Sequence, residues 1–205
     1  MKAFTYLLFP ALFIVLGCQV APTRYSEMKE GQWEARALIR DKRSRKSFIV
    51  NLDINAVQKE RMRVDVTAAL GHPVASMVLQ GSNLSYVLIE TQEAYKGPAK
   101  AEALRPVLSI PLTPKYLYSV LFDFPIEDKR WTCTKTSDGF IEECKDRQSK
   151  TIVRWKDRKG RRKTVYIEHP TAALQINFNS FQPKVESRDN LFGLKIPDNF
   201  KLLRM

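Results

Sequence analysis

Metal-binding residues, catalytic motifs and long apolar runs are scarce in this chain of 205 residues, and each shortage excludes a class of function. The two histidines, His72 and His169, each stand alone, without the spacing to another histidine, cysteine or carboxylate that a metal site requires. The sequence contains no nucleophile elbow, phosphate-binding loop or dinucleotide fingerprint. We therefore expect no metal, no cofactor and no enzyme activity, with catalysis by residues gathered only in the fold as the alternative.

The first eighteen residues form the most specific pattern in the chain. Lys2 precedes an apolar stretch, residues 3–16, that is interrupted by Pro10 and is shorter than the roughly 20 residues of a membrane-spanning helix. A cationic start, a short apolar stretch and a small residue before a cleavage point are typical of a secretory signal. Residues 15–18, Val-Leu-Gly-Cys, resemble the lipobox of bacterial lipoproteins. This resemblance implies cleavage before Cys18 and its acylation, by palmitate among other chains; a plain signal peptide or a membrane anchor is the alternative.

The predicted cleavage divides the chain into three parts. Residues 1–17 are the signal peptide, residues 18–31 are the acylated cysteine and a short tether, and residues 32–205 form a single domain, long enough to bury a sizeable core. In lipoprotein-sorting systems an aspartate after the cysteine is the usual signal for retention in the inner membrane. Gln19 therefore favours the outer membrane, with the domain facing the periplasm or, alternatively, the cell surface.

Positive charge is in excess and is concentrated at two predicted turns. The formal net charge of +12 becomes +11 when Lys2 leaves with the signal peptide. This sign favours an anionic partner, such as phospholipid headgroups or an acidic protein, and an exported protein is not expected to meet nucleic acid. A solvated surface with no specific role is the alternative. The candidate cations are Arg40, Lys42, Arg43, Arg45 and Lys46 in the first turn, and Arg158, Lys159, Arg161, Arg162 and Lys163 in the second.

From Trp33 onward, apolar and polar residues alternate with a period of two between turn residues, which is typical of antiparallel strands. Strands are predicted over residues 33–39, 48–54, 62–68, 74–80, 84–90, 132–136, 140–145, 151–156, 163–169 and 174–181, with a short edge strand at 200–203. Helical segments are predicted over residues 99–108, which Pro106 would kink, and 115–122. This order predicts an α+β domain with one large curved antiparallel sheet whose concave face the helices cover, either around a cavity or as a filled core.

The two cysteines that remain after acylation flank a turn. Asp138-Gly139 favours a two-residue hairpin turn, in which both central residues have positive φ. A turn centred there places Cys133 opposite Cys144, close enough for a disulfide that an oxidising compartment would preserve. Two free thiols or half of a metal site are the alternatives.

The first half of the domain is similar to a known family. Residues 61–77, with the sequence RMRVDVTAALGHPVASM, the Tyr95-Lys96-Gly97 segment and the central helices resemble the outer-membrane lipoprotein receptor LolB, which shares its fold with the carrier LolA. The resemblance covers Trp33 to Phe124 best, and it implies an incomplete β-barrel with a helical lid. It also implies a hydrophobic cavity that receives the acyl chains of lipoproteins from a LolA-type carrier, so that the protein acts as a transport chaperone without a cofactor.

The same resemblance implies roles for individual residues. Leu70, before a glycine in the loop between two strands, aligns with a leucine that inserts into the membrane; a buried turn residue is the alternative. The candidate cavity residues are Phe48, Val50, Leu52, Val64, Val66, Met77 and Leu79 from the sheet, and Leu117, Val120 and Leu121 from the lid. The basic turns and the cysteine pair depart from the family pattern. A non-catalytic envelope lipoprotein that binds another lipid, or an anionic or protein partner through its basic hairpins, is therefore the alternative function.

Overall fold

The computed structural model describes residues 20–108, 110, 112–185 and 191–204. The predicted acylation site, Cys18, lies outside these residues. Six strands precede the helical region: β1 (Glu30–Asp41), β2 (Lys46–Val57), β3 (Arg61–Ala68), β4 (Pro73–Gln80), β5 (Asn83–Leu88) and β6 (Glu93–Pro98). Two short helices, α1 (Arg105–Leu108) and α2 (Tyr116–Phe122), are followed by β7 (Trp131–Lys135), β8 (Ile141–Asp146), β9 (Ile152–Lys159), β10 (Arg162–Glu168), β11 (Ala172–Gln182) and β12 (Lys201–Leu202). Single 3-10 turns form at Tyr25–Glu27 and Ala101–Leu104.

These strands form one open sheet in the order β12-β6-β5-β4-β3-β2-β1-β11-β10-β9-β8-β7. Each consecutive pair is an antiparallel hairpin, except that β1 pairs with β11 and β12 runs parallel to β6. The β1–β11 pairing joins the two meanders, which confirms the predicted α+β fold with one large antiparallel sheet. Over the described residues the sheet is not closed into a barrel, because β7 and β12 are its two edges.

The helical region follows the predicted interruption at Pro106. Residues 101–104 form a 3-10 turn and only Arg105–Leu108 are α-helical, because proline is tolerated in a first helical turn but not in a helix interior. Strand β6 was not predicted as a strand, since its sequence, EAYKGP, contains glycine and proline and does not alternate. It forms because β5 pairs with it through residues 83–88.

The β7–β8 hairpin pairs Cys133 with Cys144, and these two residues form a disulfide. The predicted two-residue turn is wrong. The backbone N–H of Thr136 donates to the carbonyl of Phe140, which leaves three residues in the loop, and of these only Gly139 has positive φ, at 81°. A register shift between Thr134 and Lys135 compensates for the extra residue, so the cysteines still face each other.

The turns gather along two opposite rims of the sheet. The proximal rim comprises segment 20–24 and the turns after β2, β4 and β9, because β1 begins and β11 ends on this side. The distal rim comprises the turns after β1, β3 and β5. Strand β2 runs from one rim to the other in 12 residues, a length of about 36 Å at 3.3 Å for each residue step.

Candidate functional site

The concave face of the sheet carries a continuous apolar surface. Strand register places Val50, Leu52 and Ile54 on the same face of β2, opposite Ala37, Ala35 and Trp33 of β1. The same register continues through the next two strands, because side chains that are paired across strands share a face. It aligns Leu52 with Val66, Val64 with Met77 and Met62 with Leu79. The predicted cavity residues of the sheet therefore lie on one face, and that face is covered by the helical region.

Burial on this face is uneven: along β2, Val50 is buried although it lies nearer the distal rim than the half-buried Leu52. Along β2, Phe48 is 52% exposed at the distal end and Ala56 is fully buried near the proximal end. Half-buried apolar side chains lie between these ends and pack against the core: Ile39, Leu52, Val64, Val66 and Leu88 from the sheet, and Val107, Leu108 and Leu117 from the helical region. The distal half of the face, down to the paired Leu52 and Val66, thus presents some apolar atoms that the fold covers only in part, although Val50 within it is buried.

The proximal half of the same face is filled by aromatic rings. Trp33 packs edge-on against Phe122 of α2 at a ring-centroid distance of 5.2 Å, and its ring also contacts Phe181. Tyr25 packs edge-on against Phe181 at 4.9 Å. Val120 and Leu121 of α2 are buried in this half. The predicted lid residues therefore divide into two groups, since Val120 and Leu121 belong to the packed core while Leu117 lies half-buried.

A buried polar cluster, which we call the latch, fixes the end of α2 to the sheet. It comprises Asp123, Arg158, Lys163 and the indole of Trp155. Lys163 Nζ donates to Asp123 Oδ1 at 2.7 Å and to the carbonyl of Val120 at 2.9 Å, and Arg158 also pairs with Asp123. Trp155 Nε1 donates to the same Val120 carbonyl at 3.3 Å. The latch therefore satisfies carbonyl groups that the helix end leaves without partners.

Two features of the latch are unusual, namely the lowered pKa of Lys163 and the left-handed backbone conformation of Asp123. Burial lowers the pKa of Lys163 to about 8, although the nearby Asp123 carboxylate opposes this shift. The ammonium group also lies 4.2 Å from the ring centroid of Tyr25. Asp123 adopts a left-handed conformation with φ of 58°, which aspartate tolerates better than most residues and which ends the helix.

Asp123 was missed by sequence reasoning, although one signal was available. Lys163 lies on the same face of β10 as Val165 and Ile167, which are buried. A cation on this apolar face needs a buried partner of opposite charge. Arg158 and Lys163, both predicted for an exposed basic patch, are thus turned inward to Asp123. Lys159, Arg161 and Arg162 remain exposed in that turn, together with Lys156.

The distal rim combines exposed apolar side chains with cations. Leu70 is 86% exposed in the β3–β4 turn, where Gly71 has φ of 84°. Phe48, Ile49 and Ile89 are also exposed large apolar residues. The five predicted cations of the β1–β2 turn, Arg40, Lys42, Arg43, Arg45 and Lys46, are all exposed. The rim therefore presents an apolar tip beside positive charge, at the end where the concave face is least covered.

Four buried donors in the described part of the chain lack a partner. Trp33 Nε1, Tyr86 OH, Tyr118 OH and Trp131 Nε1 have no hydrogen-bond partner among the described residues. Burial raises the pKa of Tyr86 to about 12 and also raises that of Tyr118, so both hydroxyls stay protonated at neutral pH. Buried donors are normally paired, so these groups are exceptions within the core.

Metal sites and membrane-spanning helices are both absent from the part of the chain that the structure describes. Among residues 20–108, 110, 112–185 and 191–204, no group of three or more histidine, cysteine, aspartate or glutamate residues is arranged to hold a metal ion. Within the same ranges, no helix has the length and apolar content needed to cross a membrane.

Comparison with known proteins shows the fold. No protein-family model matches the sequence, and no curated protein matches it either. A LolA superfamily protein from Nitrosomonas europaea is similar in structure, with a TM-score of 0.53 and 6% identity over 83% of this chain and 94% of that one. The chain has the LolA-like fold. At this low identity, the likeness concerns the architecture alone.

Two further solved structures share the LolA-like fold. A DUF1329 family protein from Desulfovibrio piger matches with a TM-score of 0.56 and 9% identity, over 82% of this chain and 91% of that one. A Vibrio parahaemolyticus domain that is named for outer membrane lipoprotein sorting matches with a TM-score of 0.50 and 7% identity, over 80% and 89%. The likeness to these proteins confirms the predicted resemblance at the level of a lipoprotein-localisation-like fold.

Proposed function

We propose that this protein is a lipid-anchored envelope protein that binds the acyl chains of lipoproteins on its concave face and takes part in placing them in the outer membrane. The observation that carries this proposal is the partly covered apolar surface in the distal half of that face. Apolar area that a fold leaves accessible and concave is the surface that an acyl chain would bury, at about 0.8 kcal/mol for each buried CH₂. The two neighbours of the LolA superfamily and of lipoprotein sorting support the same class of role.

Binding and release would follow from apolar contact alone, without a cofactor or a bond-breaking step. The chain of an incoming lipoprotein, delivered by a LolA-type carrier, would lie against Leu52, Val64 and Val66. Leu70 would then enter the bilayer beside the cargo, because an exposed leucine on a short turn makes a shallow apolar wedge.

Anchoring through acylated Cys18 belongs to the same proposal. One acyl chain gives only marginal membrane binding, and several chains on one cysteine give stable attachment. Mass spectrometry of the membrane-extracted protein is expected to find a mature N-terminus at Cys18 that carries acyl groups. An unmodified Cys18 would contradict the lipid anchor. Acyl binding by the concave face would then require its own test.

The test of acyl binding is titration of the purified, membrane-extracted protein with an uncharged apolar fluorophore, followed by displacement with palmitate. Leu52→Gln, on the concave face, is expected to weaken probe binding several-fold. Ile49→Gln is the matched control, because Ile49 lies on the same strand but on the opposite face and is 47% exposed. Loss of binding in both variants to the same extent, or no binding by the folded wild type, would contradict the proposal. Thermal unfolding of each variant shows that it is folded.

Exposed cations on both rims favour a second candidate, in which the protein binds an anionic envelope component through its hairpins. In this case the exposed Arg43, Arg45, Lys159 and Arg161 would carry the affinity, and a Leu52→Gln change would have no effect. A co-purified acidic partner that is released by salt, together with failure of the apolar probe to bind, would favour this candidate.

A further inference from the structure

The segment that follows the predicted acylation site is fixed to the β9–β10 turn. Thr23 N–H donates to the carbonyl of Gly160 at 2.8 Å, and Tyr25 OH donates to the carbonyl of Arg161 at 2.7 Å. Val20 lies directly over the same turn, since a Cβ atom placed on Gly160 would be 3.1 Å from Val20 Cγ1. The chain therefore leaves the domain at the proximal rim, beside this turn.

The β9–β10 turn is strongly basic on its accessible side. Residues 156–162 contain five cations and one acidic residue, Asp157. Arg158 faces inward to Asp123, which leaves Lys156, Lys159, Arg161 and Arg162 exposed to solvent. Val20, next to them, is an apolar residue that is 63% exposed. Exposed cations beside an exposed apolar side chain are complementary to the headgroup region of an anionic lipid surface.

The chain length between the anchor and this turn is short. Cys18 precedes Val20 by two residues, and an extended chain spans at most about 3.6 Å for each residue, or roughly 7 Å in total. Under the proposed anchoring, acyl chains on Cys18 would hold the β9–β10 turn against the bilayer surface. The distal rim, with Leu70, lies at the other end of strands that are up to about 36 Å long.

We propose that the β9–β10 turn is a membrane-docking surface that binds anionic phospholipid headgroups through Lys156, Lys159, Arg161 and Arg162, and that it holds the cargo-free domain upright with its distal rim away from the anchoring bilayer. This inference rests on the anchoring part of the proposed function and not on acyl binding by the concave face. In this orientation the open half of the concave face points toward an arriving carrier. Leu70 reaches the anchoring bilayer only after the domain tips over.

The orientation is testable because the chain offers no free thiol once Cys133 and Cys144 are joined and Cys18 is acylated. A nitroxide is attached to Lys159→Cys at the proximal rim or to Ser44→Cys at the distal rim, in the acylated protein reconstituted into vesicles of phosphatidylethanolamine and phosphatidylglycerol. Spin relaxation by a nickel-chelating lipid reports the distance of each label from the headgroups. Relaxation is expected to be several-fold stronger at position 159 than at position 44, and the difference is expected to shrink in vesicles of phosphatidylcholine alone.

A pair of charge variants separates headgroup binding from simple tethering. Arg161→Gln with Arg162→Gln is expected to weaken the relaxation at position 159, whereas Arg43→Gln with Arg45→Gln, an equal loss of charge at the distal rim, is expected to leave it unchanged. Equal relaxation at both labels, or stronger relaxation at position 44, in protein that floats with the vesicles would overturn the inference alone. Absence of the protein from the floated vesicles would overturn the anchor and the inference together, while failure to bind the apolar probe leaves the inference standing.

Discussion

The proximal and distal halves of the concave face are built from the same strands but are packed in opposite ways. In the proximal half, aromatic rings fill the space and the latch ties the end of α2 to β9 and β10. In the distal half, apolar side chains such as Leu52 and Val66 are only partly covered, and none of the four residues of α1 is buried. One half therefore fixes the end of α2, and the other contains the surface on which we propose that acyl chains bind.

This difference would allow an open sheet to be both stable and able to bind an acyl chain. A buried charge is tolerated only when it is paired, so the latch permits essentially one position for the end of α2. Apolar packing without such pairing permits many small adjustments, which suits a surface that accepts flexible chains.

Asp123→Asn should have the largest effect, because it leaves the buried Lys163 without its counter-charge while asparagine still tolerates the left-handed backbone. We expect the free energy of unfolding to fall by about 3–5 kcal/mol, the usual loss when a buried ion pair is broken. Urea denaturation measures this loss. Asp65→Asn is the control, since Asp65 and Arg63 pair at 2.6 Å but are partly exposed, and it should lower the free energy of unfolding by only about 1 kcal/mol. Equal losses in the two variants would show that the latch contributes no more to stability than a partly exposed ion pair does.

Reduction of the Cys133–Cys144 disulfide should also destabilise the fold while sparing the distal half. In the chain-entropy model a loop this short, with a sequence separation of 11, contributes on the order of 3 kcal/mol. The Cys133→Ser, Cys144→Ser double variant is expected to unfold at lower urea and to bind the apolar probe as tightly as the wild type. Weaker probe binding by the folded double variant would place the binding surface near the hairpin instead.

The free energy of unfolding should depend on pH through Lys163, in the latch of the proximal half. Lys163 has a pKa of about 8 in the folded protein and an ordinary value of 10.5, so above pH 8 the unfolded chain binds more protons at this residue than the folded protein does. Stability contributed by this residue therefore rises with pH, by roughly 2 kcal/mol between pH 8 and 10. Urea denaturation of the wild type and of Lys163→Met across this range isolates the slope, which the variant should lack. Parallel pH profiles for the two proteins would contradict the assignment.

Leu70→Gln, at the distal rim, should have the smallest effect on stability. The side chain is 86% exposed and contributes little burial, so we expect a change within about 0.5 kcal/mol in the free energy of unfolding. Transfer of a lipoprotein from a loaded carrier to vesicles should nevertheless slow. A variant that loses stability without slowing transfer would indicate a structural role for Leu70.

The alternation of apolar residues predicted most of the sheet, including the shared face of Val50, Leu52 and Val66, whereas the pairing of Cys133 with Cys144 was predicted through a turn that is wrong and holds because of a register shift. The shared face depends on local periodicity, which the sequence carries directly. The latch could not be predicted in the same way, because Asp123 and Lys163 are 40 residues apart and meet only through the path of α2 across the sheet. The C-terminal segment is a similar case, since Arg63 donates to the carbonyls of Leu191 and Gly193 across a long separation.

The proximal rim shows a further limit of sequence reasoning. All the cations of the second basic turn look alike in the sequence, yet Arg158 and Lys163 are turned inward while Lys159 and Arg161 are exposed. Strand parity places Lys163 among buried residues, but only the position of Asp123 explains why a charge is stable there. The division of one basic cluster into structural and surface residues therefore required the tertiary structure.

The difference between the two halves is tested most directly by photo-crosslinking with a palmitate analogue that carries a diazirine, followed by mass spectrometry of the labelled peptides. Adducts are expected on the distal half of the concave face, around Leu52 and Val66, and they should disappear when unlabelled palmitate is added. Trp33 and Phe122, in the packed proximal half, should remain unlabelled. Adducts confined to the outer face of the sheet or to the proximal half, or no competition by palmitate, would contradict the proposed binding surface.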